Sequence, residues 1–453
     1  MLSLLSSRIM NDISHIKQTV LDLISKEKRK IVFEILDFYF SKAKTLKEFD
    51  ILGELSLKAE YHELYLICAE AAYSHAKNTE QIIASRTNLY QAYNRLNYPE
   101  KALFYIDLHY KNNAQSFDCK LNTASNLALL GNREQADEIL QNLSCETKEQ
   151  FENVKFCLSA KMLREGDTSN GILNFINAFK PPSKLFQDQL KMTKWTGSPQ
   201  PGRTIYINAE GGIGDEIINI RFLNKIKHLG MRPILYSSWS MYRLDIVDLF
   251  KRNNFEVISE TYSIDTKELW TNMMELPGYL CLEEKDLWDG PYLTPKRNPK
   301  NKLESKKFKI GIKANGNPYF SQDIYRRIPI DEIIEMLSEF KDIEIYFFDK
   351  ERSHPKCINM KDRLNSWDDT LDYVDQMDVI VSSCTSLVHA AGAIGKTTIV
   401  MTPIAEYYVW TSTRTNGSTP WYGDNFHVAK QEKLRSWVEP LAKAKEIIKT
   451  LIK

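Results

Sequence analysis

The chain has 453 residues, with 60 basic and 59 acidic side chains and a formal net charge of +1; at roughly 100–200 residues per domain this predicts about three domains, each burying its own core. Hydrophobic residues make up 43% and charged ones 26%, which excludes a disordered, collagen-like or disulfide-scaffold chain. Near-neutrality removes any global electrostatic case for nucleic acid or an anionic membrane and leaves only a local basic face. No window holds the roughly 18 uninterrupted apolar residues a membrane span needs. The start, MLSLLSSRIMNDISHIKQ, lacks the basic leader and long apolar stretch of a signal peptide. Seven cysteines are scattered without a CxxC pair, which fits reduced thiols in a cytoplasm. The eight histidines show no HExxH, so no dedicated metal site is expected.

Residues 1 to about 180 contain helix-forming stretches, with Pro99 the lone proline before Pro181. Leu96-Asn97 and Ala102 recur 34 residues later as Leu130-Gly131 and Ala136, and Leu163 and Gly166 fall near the next step. A small residue at the turn and an alanine at the crossing are how a helix-turn-helix repeat packs, and 34 is the tetratricopeptide period. An irregular helical bundle is the alternative. The pattern changes at KPPSK (180–184), and strands then alternate with helices: TIYIN, EIINIRFLNKIKHLG, PILYS, MYRLDIVDLFKRNN and FEVIS. The stretch 289–309, rich in proline and lysine, reads as a solvated connector. Alternation restarts with KIGIKA, DEIIEMLSEF, IEIYFFD, DDTLDYVDQM, DVIVSS, SLVHAAGAIG and TTIVMT, before a last helix. Such alternation predicts parallel sheets, with ligands at the carboxyl ends of the strands. The expected fold class is therefore α plus α/β. Residues 1–185 form helical repeats, 186–300 a first Rossmann-like domain and 301–453 a second.

Four motifs carry candidate chemistry. In NAEGGIGDEIINIR (208–221), Gly211, Gly212 and Gly214 follow a strand and open a helix, letting backbone N–H groups approach a ligand. The spacing matches neither a dinucleotide fingerprint nor a P-loop. Asp215, in the first helical turn, is either a carboxylate stabilised by the helix N-terminus or a general base at the mouth of a cleft. In DVIVSSCTSLVHAAGAIGKTTIVM (378–401), Ser383, Thr385 and Ser386 can cap a helix or donate to an anion, a diphosphate being the natural ligand. His389 shares their helical face. In GIKANGNPYFSQDIYRRIPIDEI (311–333), Lys313, Arg326 and Arg327 are candidate phosphate contacts, or in the arginines' case ordinary surface residues. In STPWYGDNFHVAKQ (418–431), Trp421 and Tyr422 offer an aromatic wall or simple packing.

In this order, after helical repeats, the motifs resemble bacterial glycosyltransferases that fuse tetratricopeptide repeats to a GT-B catalytic region. That family is related to heptosyltransferases and, more distantly, to O-linked N-acetylglucosamine transferases. Its Glu-Gln-Gly-Leu-Gly-Asp type turn and following arginine are matched by Glu210, Gly211, Gly212, Ile213, Gly214, Asp215 and Arg221. The match covers roughly residues 190–435. Cys384 stands where the family commonly has an aspartate, and Ala314 lies near the place of a tryptophan.

The resemblance implies a nucleotide-diphosphate sugar as donor substrate and no cofactor, and the lack of a DxD-like motif at a strand end points to metal-independent transfer. The donor is expected at Gly212, Gly214, Lys313, Arg326, Arg327, Ser383, Cys384, Thr385, Ser386 and His389, with Asp215 as general base. Asp349 to Glu351, and the helix start at Asp369 and Thr370, are expected to border the nucleoside. The repeats would dock a protein, peptide or glycan acceptor, and the neutral charge gives nucleic acid no support. The rival is a non-catalytic repeat scaffold with a relic GT-B region; a phosphorylase or epimerase on the same fold is a weaker third.

Overall fold

The computed structural model describes residues 16–26, 28–110, 116–179, 184–237, 240–317, 323–414 and 416–452. The chain start and most of the KPPSK stretch lie outside the described residues. Two compact units divide between Ser144 and Cys145.

The first unit is helical: α1 (Lys17–Ser25) and α2 (Arg29–Phe40), then the pairs α3 (Leu46–Lys58) with α4 (His62–His75), α5 (Thr79–Arg95) with α6 (Pro99–His109), and α7 (Phe117–Leu129) with α8 (Arg133–Gln141). The second unit begins with one more pair, α9 (Lys148–Arg164) and α10 (Thr168–Phe179). The repeat seen in the sequence has a single backbone cause. Glu60, Asn97, Gly131 and Gly166 sit in the turns of these four pairs with φ of 62°, 61°, 87° and 86°. Each turn closes with the same bond: Tyr61 N–H to Ser56 O and Tyr98 N–H to Tyr93 O at 2.9 Å, Asn132 N–H to Leu127 O at 2.9 Å, and Asp167 N–H to Met162 O at 3.0 Å. This is the left-handed helix cap that satisfies orphan carbonyls, and it favours Gly or Asn. The recurrent alanines, Ala102 and Ala136, are buried where helices cross. Helix starts are equally local: Thr45 and Thr147 form reciprocal capping boxes with Glu48 and Gln150.

The rest of the second unit holds two parallel sheets. The first has the order β1-β5-β2-β3-β4, from β1 (Thr193–Lys194), β2 (Thr204–Asn208), β3 (Arg232–Tyr236), β4 (Val257–Ile258) and β5 (Leu269–Asn272). After β2 come α11 (Ile213–Asn219) and α12 (Phe222–His228), and after β3 comes α13 (Ser240–Arg252). The predicted single helix over 216–230 is thus two, although Ile220 and Arg221 keep helical dihedrals. A short helix, α14 (Leu276–Tyr279), follows β5. The second sheet has the order β11-β10-β9-β6-β7-β8, from β6 (Phe308–Lys313), β7 (Ile343–Phe347), β8 (Ile358–Asn359), β9 (Val379–Ser383), β10 (Thr398–Thr402) and β11 (Phe426–Lys430). Its helices are α15 (Asp323–Arg326), α16 (Ile330–Leu337), α17 (Trp367–Asp375), α18 (Ser386–Ala393), α19 (Tyr408–Thr411) and α20 (Val438–Leu451). Every residue of β9 and β10 is buried, as a parallel strand covered on both faces must be. Two Rossmann-like sheets after a helical array is the α plus α/β, GT-B-type architecture the sequence predicts.

One of this unit's apolar cores spans its two halves. It includes Ile205, Ile207, Ile217 and Phe222 of the first half, Val388, Ala390, Trp410 and Trp421 of the second, and Leu163, Ile172 and Phe175 of the α9–α10 pair. The connector at 289–307 is less free than its lysines suggest. Its backbone is strapped to the second half through Tyr292 N–H to Ala393 O at 2.9 Å, Asn298 N–H to Asp372 at 3.0 Å and Leu303 N–H to Gln376 at 2.8 Å.

Candidate functional site

The site is built at the carboxyl ends of β2 and β9, where each strand turns into a helix. After β2, Gly211 takes φ +78°, and a Cβ there would stand 2.5 Å from Asp215 Oδ2. Only glycine suits that position, on conformation and on space. The turn folds back so that Gly212 N–H donates to Asp215 Oδ2 at 2.8 Å, capping α11 with its own carboxylate. The other oxygen, Oδ1, accepts from the Tyr407 hydroxyl at 2.6 Å. One turn on, Asn219 Nδ2 donates to Asp215 O at 2.8 Å and to the Tyr408 hydroxyl at 3.3 Å. Asp215 is half-buried, and Gly211 and Gly212 are exposed beside it.

After β9 the hydroxyl-rich turn is knitted inward. Ser382 Oγ lies 2.9 Å from Lys313 O and 2.8 Å from Ser383 O. Ser383 Oγ donates to Arg326 O at 2.6 Å, and Thr385 Oγ1 lies 3.3 Å from Ser382 Oγ. These hydroxyls lace β9 to β6 and to the α15 segment. Thr385 takes the extended N-cap dihedrals without a side-chain cap bond. Ser386, half-buried, opens α18. Cys384 accepts at Sγ from Trp410 Nε1 (3.0 Å) and at its carbonyl from Arg326 Nη1 (2.8 Å). Burial pushes its thiol above the usual range.

Arg326 and Arg327 are aimed by one residue that motif reading passed over. Asp323, buried, accepts from Arg326 Nε at 2.9 Å and Gly316 N–H at 3.1 Å through Oδ1, and from Arg327 Nε at 2.6 Å through Oδ2. A Cβ on Gly316 would overlap the Arg326 guanidinium. Arg326 therefore points at the β9 turn, whereas the Arg327 side chain is half-exposed. Lys313 ends β6 and donates Nζ to Phe348 O at 3.0 Å, with Asp349 Oδ2 at 3.5 Å. Burial lowers its pKa, and the Asp349 carboxylate opposes that. Asp349 also accepts from Glu351 and Arg352 N–H, both at 2.9 Å. Asp369 holds Asn301 Nδ2 at 3.0 Å, and Thr370 Oγ1 donates to Ser366 O at 2.8 Å, so both are committed to the connector and to their own helix.

The two turns meet. A Cβ on Gly214 would stand 2.8 Å from His389 Cδ2 and 3.4 Å from Ser386 Cα, so α11 and α18 abut at their first turns. His389 is buried, stacked on Trp410 at 5.3 Å and 16°, with Nδ1 2.8 Å from the Tyr422 hydroxyl. Burial first, then Arg221 and Arg326, push its pKa down to about 3. The imidazole is thus neutral, a wedge between the halves that brings no positive charge. Trp421 and Tyr422 are also interior. With Phe222, Trp288 and Tyr292 they surround the Arg221 guanidinium at 5.0–5.7 Å from each ring centre, and Arg221 Nη1 donates to Trp421 O at 2.8 Å.

The structure thus brings Gly212, Gly214, Asp215, Arg326, Ser383, Cys384, Thr385, Ser386 and His389 to one junction. Lys313 lies beside it through Ser382, and Arg327 leaves it. Besides Asp323, sequence reading missed Tyr407 and Trp410. Their signal was the aromatic run YYVW (407–410), four residues beyond the strand TTIVMT. Among the described residues, no group of three or more His, Cys, Asp or Glu is placed to hold a metal ion, and no helix is long and apolar enough to cross a membrane.

No family model matches the chain, and no curated protein does. Solved structures it is similar to include glycosyltransferases. The iron-containing dodecameric glycosyltransferase TibC of enterotoxigenic E. coli is 11% identical, over 56% of this chain and 77% of that one, with a TM-score of 0.37. The E. coli ADP-heptose lipopolysaccharide heptosyltransferase II is 12% identical over 55% and 98%, with a TM-score of 0.34. A Thermobaculum terrenum O-GlcNAc transferase is 10% identical over 90% of both chains, with a TM-score of 0.33. These likenesses are weak.

Proposed function

We propose that this chain transfers a sugar from a nucleotide-diphosphate sugar to an acceptor hydroxyl. The observation that carries the reading is the junction itself: Gly214 against His389 sets a half-buried carboxylate, Asp215, beside a strand-to-helix turn with an aimed arginine. The diphosphate would lie at the N-terminus of α18, on the backbone of Cys384–Ser386, with Arg326 as its fixed counter-charge. Ser383 and Thr385 hold the turn's shape through their hydroxyls. Lys313, whose charged form burial disfavours, would have that form favoured by a phosphate. Asp215 would take the proton of the acceptor hydroxyl as that oxygen bonds the anomeric carbon. The bond from that carbon to the diphosphate breaks, and the nucleoside diphosphate leaves with the electron pair under the field of Arg326.

Metal independence belongs to the same proposal, because Arg326 and Lys313 supply the charge compensation. Transfer unchanged by EDTA supports it, and loss restored by a divalent or ferrous ion overturns it. We assign the reaction to the cytoplasm, where scattered thiols stay reduced, which subcellular fractionation checks. The helix pairs would dock the acceptor, a protein, peptide or glycan.

The deciding experiment is a thermal-shift screen against UDP-, GDP-, ADP- and CMP-sugars. Stabilisation by one of them, lost in Arg326→Ala, supports the reading; no stabilisation by any sinks it. The scaffold reading draws on the capping bond that already occupies Asp215 Oδ2. It predicts a flat screen.

A further inference from the structure

We propose that Tyr407 is the positioning residue of the site: its hydroxyl, donated to Asp215 Oδ1, fixes the carboxylate for proton abstraction, and the α9–α10 helix pair holds that tyrosine in place. This rests on the transfer reading above. Asp215 is gripped from two sides, by Gly212 N–H on Oδ2 and by the Tyr407 hydroxyl on Oδ1, at 2.8 and 2.6 Å. The first bond is local to α11. The second comes from a segment 192 residues away, in the loop after β10. A carboxylate held only by its own helix cap keeps freedom about its side-chain torsions; a second donor on the other oxygen removes it. The phenol is a permanent donor, because burial and the neighbouring carboxylate hold it well above its ordinary range.

Tyr407 is itself braced by the helix pair. Phe175 of α10 meets its ring edge-on at 5.5 Å and 87°, and Tyr408 packs at 4.7 Å. Glu406, next in chain, pairs with Arg164 of α9 and, at 3.4 Å, with Lys430. Ser412 Oγ donates to Leu163 O at 2.6 Å on the far side of the loop. The loop is thus pinned to α9–α10 on both flanks of the tyrosine.

The test is Tyr407→Phe, which keeps the ring, the Phe175 contact and the packing while removing the one donor. kcat at neutral pH should fall about tenfold with the donor KM unchanged.

A second measurement needs no substrate. In 13C-aspartate-labelled full-length protein, the carboxyl resonance absent from Asp215→Asn should change its chemical shift at neutral pH in Tyr407→Phe relative to the parent. An unchanged kcat with an unmoved resonance overturns the proposal. If Asp215→Asn keeps full turnover, the base assignment fails instead, and the resonance still reports whether the bond exists.

Discussion

The two strand-to-helix turns do the same job by opposite means. The turn after β2 is glycine-rich and outward: Gly211 and Gly212 are exposed, and one carboxylate both caps the helix and faces the junction. The turn after β9 is hydroxyl-rich and inward, with Ser382, Ser383 and Thr385 bonded to β6, to the α15 segment and to each other. Glycine yields an open backbone at an entropic cost. Hydroxyls yield a rigid one by satisfying buried polar groups. A reacting group needs access and a bound diphosphate needs a fixed cradle, so the contrast fits the division into base side and donor side proposed above.

Four substitutions probe that contrast. Asp215→Asn keeps the size and the cap acceptor, yet should lower transfer by about a thousandfold while donor-induced stabilisation persists; product formation beside a thermal shift reads both. Gly214→Ala attacks the contact between the turns. Its Cβ must displace His389 or part the helices, which should destabilise the second unit by about 2 kcal/mol, measured by urea unfolding.

The third prediction concerns pH. His389 is held near 3 in the fold against about 6.5 when exposed. Between those values the unfolded chain takes up a proton that the fold refuses. Stability is therefore full above about pH 6.5 and falls as the pH drops toward 3, by about 2 kcal/mol at pH 5. His389→Gln should be less stable at pH 7 but lose less between pH 7 and 5; an equal loss in both proteins removes His389 as the cause. The mildest is Ser383→Ala, which strips one bond from the inward turn and should cost about 1 kcal/mol. Unfolding at neutral pH checks it, and a greater loss of donor affinity than of stability would show direct contact.

The main strands were legible because parallel buried strands read as apolar runs between helical stretches, and TIYIN, DVIVS and TTIVMT are such runs. Leu269–Asn272 was not, although it pairs with both β1 and β2. Four residues, LWTN, after a charged TKE are too short for any period to show. The β11 strand was read as loop because its apolar residues follow a Trp-Tyr-Gly turn. At the site, glycine and hydroxyl motifs announced both turns, since they are contiguous in sequence. Asp323 and Tyr407 were silent because their partners are distant or their residue types common. An acid three residues before an arginine looks like any helix pair. A tyrosine in an aromatic run looks like core.

The α9–α10 pair carries one more consequence, for where a substitution in the helical part is felt. By its Gly166 turn it repeats the other pairs, yet Leu163, Ile172 and Phe175 belong to a core that draws residues from both sheets. Through Arg164, Leu163 and Phe175, a change in this pair reaches the loop that carries Tyr407.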